Sequence, residues 1–132
     1  MKLTAIALGV LNHTLFILAI SLMAFQLYFG MTLDPIFNSP LPILTNIFLS
    51  LQFPLLHSWL LTKNGSAFLS RFYKQKQFGQ RMATTSYTTV ASAQLLLTFL
   101  FWEPSGTVVF ELNPNSLIFQ GLNLLYILSW IF

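Results

Sequence analysis

Cysteine is absent from this chain of 132 residues, and its acids number three, Asp34, Glu103 and Glu111. Without cysteine there are no disulfides, thiolate nucleophiles or sulfur-ligated metals, and the redox compartment is unreadable. Three acids so widely separated cannot supply a paired-carboxylate site. No metal-ligand spacing, glycine-rich phosphate loop or serine-nucleophile motif occurs either. Charge of any sign is scarce, at 7% of residues, whereas 55% are hydrophobic and 16% aromatic, with Phe used 14 times. The mean hydropathy is +0.71. So few charges cannot solvate a globule of this length, and the composition is that of an integral membrane protein.

The few charges are segregated. Lys2 stands at the start, and the other cations, Lys63, Arg71, Lys74, Lys76 and Arg81, fall in one stretch, with every acid outside both places. Four apolar stretches free of charge separate these groups, each about long enough to cross ~30 Å of hydrocarbon at 1.5 Å per residue. By the positive-inside rule the N-terminus and the 63–81 loop face the cytoplasm. The net charge of +3 and pI of 9.5 are then explained by topology and anionic headgroups, and a nucleic-acid partner is not called for. The apolar N-terminus runs on too long, with no small-x-small site before Asp34, to be a cleavable signal. The expected fold is all-α, one multi-pass transmembrane domain with helices at about 5–28, 40–62, 81–102 and 115–132 around a basic loop at 63–80. Gly30 with Asp34-Pro35, Ser39-Pro40 as an N-terminal signal, Glu103-Pro104 and Asn113-Pro114 supply the boundaries. The last helix is still running at Phe132, which reads as the front portion of something longer.

Between the second and third spans, Phe68, Leu69, Phe72 and Tyr73 recur at helical spacing while Arg71, Lys74, Gln75 and Gln77 fill most of the rest. An interfacial amphipathic helix over 66–78 fits this pattern, and so does a solvated basic loop that sets topology. A further reading has the cations gather an anionic ligand at the membrane face.

Polar residues inside the spans must find partners or wet cavities. The candidates are Asn12, His13, Gln26, Asn46, Gln52, His57, Gln120 and Asn123, together with a third helix whose first half is rich in Ser and Thr. Its stripe Thr85, Thr89, Ala93 suits close helix packing or the lining of a polar cavity. His57 follows Pro54, which removes a backbone donor, frees the Ser50 carbonyl and favours a kink. It suits either a hydrogen bond between helices or a proton acceptor. A bis-histidine haem on His13 and His57 is a weaker third option; their depths differ by roughly 5 Å at 1.5 Å per residue.

The run Gln52-Phe-Pro-Leu-Leu-His57-Ser58, a basic aromatic loop ending at Arg81, Tyr87 in a Ser/Thr-rich helix and the exit Trp102-Glu103-Pro104 together resemble the front half of the isoprenylcysteine carboxyl methyltransferase superfamily. The methanethiol S-methyltransferase and NnrU-like branch is the most similar. The resemblance implies a membrane enzyme that moves a methyl group from S-adenosylmethionine to a small or lipophilic thiol. It places His57 as the catalytic candidate, with Gln52, Ser58, Arg81 and Tyr87 around the acceptor. Alignment and desolvation would then supply much of the rate. The chain departs from the pattern in one large respect: the family holds its cofactor by a later Arg-His-Pro segment, and no such segment follows Tyr126. The cofactor-binding residues are therefore unassigned, and a missing C-terminal half or a partner subunit is expected to complete the site. The competing expectation is a non-catalytic membrane subunit or scaffold.

Overall fold

A computed structural model describes residues 2–35, 38–73, 75–106 and 110–131; Lys74 and Phe132, both used in the expectations above, lie outside them. Five helices and no strand occur among these residues: α1 (Lys2–Tyr28), α2 (Pro42–Leu60), α3 (Lys63–Ser70), α4 (Lys76–Leu100) and α5 (Leu117–Ser129). Two of them, α1 and α2, are long and apolar enough to cross a membrane. Few of their residues are buried, and Leu3, Ile43, Phe48 and Leu55 are among many large apolar side chains left exposed. Water tolerates so extensive an apolar surface poorly; a hydrocarbon solvent does not oppose it.

The helix ends follow from local chemistry. α1 stops where Gly30 takes a left-handed conformation, φ 71°, and the Met31 N–H turns back to the Gln26 carbonyl at 2.7 Å, closing carbonyls that the helix end leaves open. Pro42 begins α2, where its missing N–H costs nothing. Ser39 does not cap that helix. Its hydroxyl accepts from the Leu41 N–H and the Thr45 hydroxyl instead. α2 continues through Pro54 to Leu60.

The loop expected at 63–80 is mostly helix. Thr62 caps α3 by accepting from the Gly65 N–H at 3.2 Å, so the amphipathic segment starts at Lys63 and ends at Ser70, earlier than its aromatic spacing suggested. α4 likewise starts at Lys76, five residues before the expected Arg81. The last helix is shorter than expected: Ser116 caps it from the Phe119 N–H and it ends at Ser129. Its 13 residues amount to about 20 Å, less than a full span.

α4 is the centre. It packs along α1, α2 and α3, and the cross-helix bonds fix directions. Asn12 and Gln26 of α1 meet Thr89 and Phe99 of α4, so the two run parallel. Asn46, Gln52 and His57 of α2 meet Glu103, Gln94 and Tyr87 in reverse order, so α2 is antiparallel to α4. α5 is tied to α1 by the Tyr126 hydroxyl donating to the Ala24 carbonyl. The cations Lys2, Lys63, Lys76 and Arg81 thus share one end of the bundle, and the segments bearing Asp34, Glu103 and Glu111 follow helix ends at the other.

Candidate functional site

Near the basic end, α2 and α4 bring two ring side chains together. The Tyr87 hydroxyl lies 2.7 Å from His57 Nε2 and 3.0 Å from Nδ1. One oxygen is within reach of both nitrogens, and the tautomer decides which of them it pairs with and which partner donates. Phe53, one turn earlier on α2, stacks on the imidazole with ring centres 5.0 Å apart. Both members of the pair are half-buried, which shields their bond while leaving a route for exchange. Tyr87 also lines an open cavity of about 240 Å³ with Leu60, Leu69, Ala83 and Thr84, and with Ser66 at its α3 wall. The His57 and Tyr87 pair can hold and orient one proton beside that cavity.

The other expected site residues are elsewhere. Gln52 is spent on α4: its Nε2 donates to the Gln94 carbonyl at 3.2 Å and to Thr98 Oγ1 at 3.0 Å, and its own oxygens accept from Gln94 Nε2. That exchange is a helix clamp. Ser58 is exposed. Arg81 is six residues from Tyr87, about 9 Å along the axis and some 240° around it, and lines a different cavity with Lys2. The haem option gains nothing: His13 is exposed and its Nδ1 bonds the Gly9 carbonyl of its own helix, whereas His57 is taken up by Tyr87 across α4. Among the described residues no group of three His, Asp or Glu could hold a metal ion.

The cavity beside Tyr87 does not by itself fit S-adenosylmethionine. A cavity of about 240 Å³ is below the roughly 300 Å³ from which small-molecule pockets start, and its walls offer no carboxylate to the ribose hydroxyls or the sulfonium.

Sequence reasoning missed two features. Glu103, counted only as a charge beyond the third span, is 7% exposed. Its backbone and the Asn46 carboxamide exchange two bonds, 2.8 and 2.9 Å, and its carboxylate accepts from the Ser39 N–H. This clasp locks the start of α2 to the end of α4 and, with Trp102 and Pro104, walls a cavity of about 620 Å³ at the acidic end. The polar ladder along α4 is the second. Asn12 and Gln52 were named as needing partners, and α4 supplies them as Thr89 and Gln94. Comparison with family models, curated proteins and solved structures returned no match to this chain.

Proposed function

We propose that this chain is the acceptor-side helical portion of a membrane-embedded, methyltransferase-like protein that methylates a small or lipophilic thiol. The observation that carries the reading is the contact between His57 and Tyr87 beside a small, mostly apolar cavity. Both residues belong to the pattern that resembles the isoprenylcysteine methyltransferase superfamily, and they come from helices 30 positions apart. In this role the imidazole takes the proton of the acceptor thiol and Tyr87 fixes the ring and its tautomer, a positioned acid–base pair of the kind worth about 10²-fold or more in rate. The bilayer delivers the lipophilic acceptor to the apolar wall. The groups that hold S-adenosylmethionine come, on this reading, from a further segment or a partner subunit. The basic end faces the cytoplasm, where the charged cofactor is dissolved.

The test is methyl transfer from labelled S-adenosylmethionine to an alkyl thiol by membranes containing the protein in its cellular assembly. Thioether product is expected from the wild type, with a drop of about 10²-fold in His57→Ala and unchanged thermal unfolding. A wild type that forms no thioether rejects the function, and a His57→Ala variant that keeps full turnover removes the pair from it.

One observation favours a second reading, a non-catalytic subunit. Asn12, Asn46, Gln52 and Gln94 are all engaged across helices, an arrangement that packing alone explains. Isolation of the chain in a larger membrane complex with no cofactor binding would decide for it.

A further inference from the structure

The cavity that holds Arg81 is separate from the one beside Tyr87. Lys2, in the first turn of α1, and Arg81, near the start of α4, line a common space of about 270 Å³ together with Ala5, Gln75, Gln77 and Phe78. The two cations come from opposite sides of the sequence and are set together by the parallel packing of α1 on α4. Neither has an acid at hand. Asp34 lies past the C-terminus of α1, and Glu103 and Glu111 lie past that of α4, about 40 Å away along helices of this length. Two uncompensated cations facing one space create a local positive potential that an anion relieves. Arg81 brings a planar fork matched to the oxygens of a tetrahedral oxyanion, Lys2 a mobile point charge, and Gln75 and Gln77 add neutral donors. Ala5 and Phe78 make the remaining wall apolar.

An independent feature marks the level of this cavity. Trp59, Phe68 and Phe72 form a chain of ring contacts, 5.5 and 5.2 Å between centres, at the same end of the bundle, and all three rings are exposed, Phe72 at 72%. Exposed aromatic groups beside basic residues are what a polypeptide presents to the headgroup layer. A cavity at that level, cationic on one wall and apolar on another, meets phosphate on its polar side and glycerol or acyl chain on the other.

We propose that this cavity binds the phosphate of an anionic phospholipid. The inference rests on membrane embedding and is independent of methyl transfer. Native mass spectrometry of the full chain released from micelles containing phosphatidylglycerol or phosphatidylcholine tests it. One retained phosphatidylglycerol is expected, with Lys2→Gln and Arg81→Gln each lowering retention about fivefold, Arg81→Lys intermediate, and Lys63→Gln and Arg71→Gln, which lie outside the cavity, unchanged. All four positions are exposed, so folding is preserved, and unfolding temperature in lipid-free micelles provides the control. Equal loss in Lys63→Gln would mean diffuse attraction to the surface and overturn the site. Equal retention of phosphatidylcholine would overturn its preference for anionic lipid. Displacement of the lipid by millimolar inorganic phosphate would assign the cavity to a soluble phosphate and overturn the lipid.

Discussion

Gln94 shows what a single carboxamide does in the interior. It is 4% exposed and its Nε2 serves two oxygens of Gln52, while its backbone carbonyl accepts from Gln52 in return. Removing one member leaves the other desolvated and half-partnered, whereas removing both leaves an apolar contact. Gln94→Leu and Gln52→Leu are each expected to cost about 1 kcal/mol, between the average of ~0.6 and the maximum of ~1.7 kcal/mol for such bonds between membrane helices. The double variant should recover part of the loss. Unfolding in detergent measures the cycle; strictly additive singles would show that the two side chains do not cooperate. From the sequence it was clear that Gln52, Asn46 and the hydroxyls of the third span needed partners. Which partner each takes depends on helix rotation, and apolar stretches exposed nearly all round, as α1 and α2 are, leave rotation unspecified. The same ambiguity hid Glu103, whose place beyond the span said nothing of the Asn46 clasp.

The helical elements divide between those written in hydrophobicity and those written in close contact. α1 and α2 were legible as long apolar runs. The seating of α3 against its neighbours was not, because two glycines decide it by letting backbones approach, Gly65 against the Trp59 and Leu60 end of α2 and Gly79 of α4 against Ser70. A Cβ at Gly79 would collide with the Ser70 carbonyl, whereas one at Gly9 in α1 meets nothing within 4 Å. The two sites therefore respond to the same substitution with opposite signs. Gly79→Ala is expected to destabilise by about 1–3 kcal/mol through overpacking, and Gly9→Ala to stabilise by up to about 1 kcal/mol through helix propensity. Thermal or denaturant unfolding of both variants measures this. Stabilisation by Gly79→Ala would mean that α3 does not lie on the start of α4.

For the whole molecule, the lack of cysteine provides a clean test of the proposed orientation. Asn64 at the basic end and Asn115 at the acidic end are both exposed, so Asn64→Cys and Asn115→Cys each introduce one thiol at opposite ends of the bundle. In intact cells an impermeant maleimide is expected to label Asn115→Cys and spare Asn64→Cys until the membrane is opened. Labelling of both at once would reject the orientation read from the charges. Charge segregation made the two ends legible without coordinates, because only the sign of a few residues was involved. It could not reveal that the fourth apolar stretch becomes a helix of 13 residues, since hydrophobicity continues past the residues that are helical.

The central position of the most polar helix has a consequence for how the molecule is made. α4 is not among the helices apolar enough to cross on their own, yet it is the one on which α1, α2 and α3 all pack. Its hydroxyls and carboxamides are answered by Asn12, Gln52 and His57, all on segments that leave the ribosome before it. If α4 enters the lipid beside α1 and α2, as the proposed function requires, its residence there is conditional on company already present. Gene order here doubles as an assembly schedule, and moving the α4 coding segment ahead of the other two would strand a helix with no one to receive it.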